Sequence, residues 1–100
     1  MAHTEYQIRV TTIQPGRLSQ FVEEWTATVA RLRRRRGFTI LGAWTIEETN
    51  DFVWILGYDG EDGFAAADAA YYDSEERKTL DPNPARLIVS TDDQMGRRVV

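Results

Sequence analysis

The chain has no cysteine, a single histidine, and no uninterrupted apolar stretch long enough to cross a bilayer. Without cysteine there is no disulfide framework, no thiolate metal site and no cysteine nucleophile. One histidine, His3, falls short of the ligand count of ordinary zinc or copper sites, so no metal site is expected. His3 lies at a terminus expected to fray, where solvation is a better expectation than acid–base chemistry or haem ligation. No apolar run approaches the ~20 residues of a membrane span. The opening Met1-Ala2-His3-Thr4-Glu5 lacks the basic-then-apolar pattern of a signal peptide, so a cytoplasmic location is expected. There is no phosphate-binding glycine loop, no dinucleotide fingerprint and no nucleophile elbow.

What is present suits one folded domain spanning residues 1–100, with residues 92–100 as a tail. Hydrophobic residues make up 42%, enough for one modest core. The net charge is −4, unevenly placed: residues 1–50 carry seven Arg against five Glu, and residues 51–100 five basic against eleven acidic side chains. A net acidic chain argues against a nucleic acid partner. The run Arg33-Arg34-Arg35-Arg36 does not reverse this, because four consecutive helical residues point to all sides. Complementing the helix dipole and solubility account for the run.

Periodicity orders the chain. Residues 4–12 alternate, with Tyr6, Ile8 and Val10 on one side and Glu5, Gln7, Arg9 and Thr11 on the other, as a strand does. Residues 16–36 read as one helix, with Leu18, Phe21, Val22, Trp25, Val29 and Leu32 on one stripe and Gly37 as its natural terminator. Residues 38–47 and 52–58 read as a strand pair. A two-residue turn at Thr49-Asn50 would pair Trp44 with Ile55 and put Trp44 and Trp54 on opposite faces, unless a bulge intervenes. Residues 61–72 form an alanine-rich helix, with Asp59 as candidate N-cap and Asp62 at N3. Asp73-Ser74 recaps a second piece ending near Leu80, before Asp81-Pro82 stops it. Arg86–Thr91 is the last strand. The acidic groups at 59–62, 73–76 and 92–93 read as caps and solvated surface.

The order strand, helix, strand, strand, helix, strand is the βαββαβ motif, an α+β ferredoxin-like fold with a four-stranded antiparallel sheet. Its crossovers are right-handed, so both helices cover the same sheet face. The other face carries more apolar area than a soluble monomer usually exposes, and a face-to-face homodimer is expected.

Particular segments add a resemblance. The strand ending Ile13-Gln14-Pro15-Gly16, the helix with Leu18 and Phe21, and Gly37-Phe38 followed by Leu41-Gly42-Ala43-Trp44-Thr45 resemble the NIPSNAP-like proteins of the dimeric α+β barrel superfamily. Phe52-Val53-Trp54-Ile55-Leu56-Gly57-Tyr58-Asp59 looks like their third strand, and Tyr71-Tyr72-Asp73-Ser74-Glu75-Glu76-Arg77 with Asp81-Pro82 like their second helix. The chain departs from the family where Arg often opens helix 2, having Gly63, Phe64 and alanines there. The resemblance implies a dimeric α+β barrel that binds small molecules between sheet and helices. The superfamily includes cofactor-free monooxygenases, cyclases and isomerases, and haem-binding enzymes.

Arg9, mid-strand, must pair within the protein, with Glu47 for example, or face a ligand or solvent. It is the best single polar candidate, as an oxyanion donor. Tyr71 and Tyr72 point about 100° apart on their helix, so one can reach the sheet while the other faces a rim. Arg9 and Tyr71 are therefore the candidate catalytic donors. Gln7, Trp44, Trp54, Tyr58, Phe64 and Tyr72 are the candidate substrate-binding residues, although core and dimer packing is the better expectation for most of the aromatics. The reading is a NIPSNAP-like small-molecule-binding protein. As an enzyme it would need no cofactor and act as a monooxygenase, cyclase or isomerase on an aromatic or polyketide-like compound. The alternative is a non-catalytic homodimeric binding or assembly module.

Overall fold

The computed structural model describes residues 3–100, and its first strand sets the logic of the fold. In β1 (Glu5–Ile13) the polar side faces inward: Arg9, Thr11 and Ile13 are buried, while Ile8 is 37% exposed. The apolar side of this strand is thus not part of the chain's own core.

The helix expected over 16–36 is two segments, α1 (Leu18–Ala27) and α2 (Val29–Arg35), bent at Thr28 (φ −120°, ψ −71°). The hydroxyls of Thr26 and Thr28 donate to the carbonyls of Val22 and Glu24, both at 2.7 Å, and such back-bonding bends helices. Backbone bonds still cross the bend, from Thr28 N to Glu24 O and from Leu32 N to Thr28 O, each 3.0 Å. α2 ends as expected at Gly37 (φ 90°). Phe38 N bonds Arg33 O at 3.0 Å and Gly37 N bonds Arg34 O at 3.1 Å, the paired closure of a Schellman motif.

β2 (Thr39–Ile46) and β3 (Asp51–Tyr58) form the hairpin, but its turn is longer than two residues. A 3₁₀ turn over Glu47–Thr49 and a left-handed Asn50 (φ 57°) pair Ile46 with Asp51 and Trp44 with Val53, not Ile55. Asn50 accounts for the difference. Its amide donates to Gln14 O at 3.0 Å, and its carbonyl accepts from Ile13 N at 3.0 Å, so the turn is anchored to the end of β1. A bulge does occur, at Leu41, upstream of Trp44, and Trp44 and Trp54 lie on opposite faces.

α3 (Phe64–Asp73) starts later than expected. Asp59 does not cap it, and Asp62 instead accepts from the Tyr58 hydroxyl at 2.7 Å. Gly63 (φ 83°) turns the chain, and Glu5 of β1 accepts from Phe64 N at 2.9 Å, placing a carboxylate at the helix N-terminus. α4 (Glu75–Lys78) is capped by Ser74, whose hydroxyl accepts from Arg77 N. A 3₁₀ turn (Pro84–Leu87) leads into β4 (Ile88–Gly96). β4 starts two residues later than expected and runs five further, through Asp92–Gly96, a segment read from sequence as tail. Pairing with β1 explains this, from Ile13 opposite Ile88 to Tyr6 opposite Gly96.

The four strands form one antiparallel sheet in the order β2-β3-β1-β4. The helices cover one face, where Phe21, Trp25, Val29 and Leu32 pack with Phe52, Trp54 and Leu56. The overall thickness of 18 Å is that of two layers. On the uncovered face Trp44 (53% exposed) lies over Gly42, which leaves no room there for a Cβ. Ile8, Val53 and Ile55 extend this apolar surface across β1 and β3. On β4 the residues on this face are Ser90, Asp92 and Gln94, so the apolar surface stops at β1.

Candidate functional site

The inward polar side of β1 meets the helices at a buried cluster. Arg9 opposes Trp54 on β3 and Asp93 on β4, so all three share the covered face. From above, the stripe of α1 continues one turn past Val29 to Arg33, which is fully buried. The Schellman closure sets its surroundings by bringing Phe38 back against the helix end, with the Arg33 guanidinium 4.7 Å from the Phe38 ring centre. The same guanidinium lies 3.6 Å from the ring centre of Tyr71 on α3.

Asp68, one turn before Tyr71 and Tyr72, joins these elements. Its Oδ1 accepts from Arg33 Nη1 at 2.7 Å and from Arg9 Nη2 at 3.1 Å. Arg9 also donates from Nη1 to the Tyr72 hydroxyl at 2.9 Å and from Nε to Gln7 Oε1, with Asp93 at 3.9 Å. Arg9 pairs with Asp68 and Asp93, not with Glu47, which sits in the hairpin turn. Asp93 is therefore not merely solvated surface.

A cavity of about 130 Å³ opens beside this cluster. Arg9, Arg33, Tyr71, Tyr72 and Arg77 line its polar side, and Trp25 and Trp54 its apolar wall, with ring centres 5.2 Å apart. Burial holds the Arg33 guanidinium below its ordinary range, and repulsion from Arg9 adds to this, while Asp68 and Tyr71 act in the opposite sense. Arginine starts so high that it keeps its charge at neutral pH. Burial raises the Tyr71 hydroxyl, with Arg33 and Arg77 opposing, and the phenol stays protonated at neutral pH. Outside the cavity lining, Arg86 grips Glu24 of α1, with Nη2 to Oε2 at 2.8 Å; this bond chiefly holds the Glu24 carboxyl low.

Of the residues singled out from sequence, the fold brings Arg9, Tyr71, Trp54 and Tyr72 to the cavity. Tyr71 reaches the core and Tyr72, 44% exposed, faces the rim. Gln7 touches the cluster through Arg9. Tyr58 and Phe64 pack around Phe38 instead, at 5.0 and 5.7 Å between ring centres, and Trp44 is on the opposite sheet face. Arg33, Asp68, Arg77 and Asp93 were missed. Arg33 had a signal: four residues after Val29, it falls on the buried stripe rather than with a solvated run. Asp68 had one too, lying four residues from both Phe64 and Tyr72 on one helix face. Among the described residues, no group of three or more His, Cys, Asp or Glu is placed to hold a metal ion, and no helix is long and apolar enough to cross a membrane.

Fold and site together define a ferredoxin-like α+β protein with a polar-and-aromatic cavity between its sheet and helices. The NIPSNAP family profile matches residues 6–99, and the chain belongs to that family. Solved structures agree in fold. A NIPSNAP family protein from Agrobacterium tumefaciens has 15% identity and a TM-score of 0.82, with 99% of this chain and 89% of that one covered. A NIPSNAP domain protein from Burkholderia xenovorans has 14% identity and a TM-score of 0.81, with 95% and 94% covered. An antibiotic biosynthesis monooxygenase candidate from Bacteroides thetaiotaomicron has 15% identity and a TM-score of 0.73, with 98% and 91% covered. Among curated proteins, no sequence matches this chain.

Proposed function

We propose that this chain is a homodimeric small-molecule-binding protein whose ligand sits between sheet and helices, and that it acts on an aromatic or polyketide-like compound without a cofactor. The observation that carries this reading is convergence in one cavity: three arginines and a buried tyrosine hydroxyl beside a wall of two tryptophans. A substrate able to form its own carbanion needs from the protein only positioning, exclusion of water and donors for the developing oxyanion. Arg33 and Tyr71 supply cation and hydroxyl, and Arg9 orients the rim through Tyr72. Oxygenation (with dioxygen as co-reactant), cyclisation and isomerisation all fit that provision. The fold likeness to monooxygenase candidates supports the first by analogy.

A second reading, a non-catalytic dimeric module, is favoured by the engagement of Arg9 with Gln7, Tyr72 and Asp68, which leaves it a structural role. Native mass spectrometry of the protein as purified from cells separates the two. A dimer with a stoichiometric extra mass is expected. A bare dimer would shift weight to the module or to a weakly held substrate, and no oxygen uptake across a panel of hydroxylated aromatic compounds would remove the oxygenase branch. A bare monomer would overturn the dimer itself.

A further inference from the structure

The cavity has an imbalance that narrows what it can hold. Trp25 Nε1, Arg33 Nε and Nη2, and Arg77 Nε are buried and have no hydrogen-bond partner among the described residues; nor has the Tyr71 hydroxyl. All four residues line the cavity. Indole and guanidinium nitrogens can only donate, so no rearrangement among them satisfies the set. Buried donors left unpaired are costly, which makes an acceptor at this point favourable.

The charges point the same way. Three guanidinium groups, Arg9, Arg33 and Arg77, meet at the cavity, while the carboxylates in the cluster are Asp68 and Asp93. One positive charge is in surplus. The geometry of Arg33 specifies the complement further. Asp68 takes Nη1, which leaves Nε–H and Nη2–H, the two parallel donors along one edge of the guanidinium. That edge matches the two oxygens of a carboxylate. The volume sets the size: about 130 Å³ is close to the ~150 Å³ cavity that accommodates a benzene ring.

Resting on the small-molecule reading above, we infer that the cavity recognises a compact monoanion. This is a carboxylate on a frame no larger than one ring, bidentate on the Nε–Nη2 edge of Arg33, with the ring against Trp25 and Trp54. A larger substrate would seat only its anionic end here.

Titration calorimetry of the full chain with benzoate, benzamide and benzyl alcohol tests this. Benzoate is expected to bind at least about tenfold more tightly than either neutral analogue, the usual effect of charge-assisted hydrogen bonds. Arg33→Lys keeps the charge but removes the parallel edge, and is expected to lose most of that preference. Should Arg33→Lys not fold, Trp25→Phe removes one donor without touching the charge and should weaken benzoate more than benzyl alcohol. Neutral analogues binding as well as benzoate would overturn the anion inference and leave the small-molecule reading standing. Unchanged benzoate preference in a folded Arg33→Lys would overturn the assignment to that edge. Binding of none of the three would overturn the inference, and the extra mass in native spectra would then decide the broader reading independently.

Discussion

At the scale of single residues, the cluster depends on Asp68. One oxygen of this side chain accepts from two guanidinium groups on different elements, and Arg33 has no other hydrogen-bonded acceptor among the described residues. Asp68→Asn preserves shape and removes the charge, leaving Arg33 buried beside Arg9. Losing one partner of a buried pair costs about 3–5 kcal/mol. The Asp68 side chain is 23% exposed, so about 3 kcal/mol is expected, read as a lower urea midpoint with an unchanged slope. A midpoint equal to wild type would show that aromatic stacking, not the carboxylate, holds Arg33 in place.

At the scale of elements, the end of α2 does more than stop a helix. The Schellman closure at Gly37 sets the angle at which Phe38 returns, and Phe38 forms one wall beside Arg33. Gly37 sits at φ 90°, where a Cβ is strained. Gly37→Ala is expected to cost about 1–2 kcal/mol in urea unfolding. It should also change the near-ultraviolet circular dichroism, because the aromatic group around Phe38 moves with it. Loss of stability with unchanged near-ultraviolet signal would separate the cap from the aromatic packing around Arg33. The bend at Thr28 and the capping of α3 by Glu5 work similarly: each re-aims a helix whose side chains line the cluster.

At the scale of the whole molecule, the sheet is polar toward its helices in β1 and apolar away from them. An arrangement that exposes Ile8, Trp44 and Ile46 while burying Arg9 makes sense when the uncovered face meets another surface. A second copy is the economical choice, and the polar β4 margin would then form the rim. The wild type is expected to sediment as a dimer at equilibrium and Trp44→Glu as a monomer, with far-ultraviolet dichroism unchanged. A wild-type monomer, or a dimer insensitive to Trp44→Glu, would remove this interface.

The sequence alone determined the order of elements, the α+β class and the family resemblance, because side-chain periodicity and turn residues act over short distances. Ser74 and Gly37 were legible as caps for that reason. Tertiary structure decided which side of β1 faces inward, how far β4 extends, and which arginine is buried. These depend on pairings between residues far apart in the chain: Asn50 against the end of β1, Asp92–Gly96 along β1, Asp68 between Arg9 and Arg33. A run of four arginines looks alike when read as composition, and helical spacing from Val29 marks Arg33 only as a member of the stripe. Packing over Tyr71 and Asp68 then buries Arg33 and leaves Arg34 and Arg35 exposed, because burial is a property of the assembled layers and not of the residue.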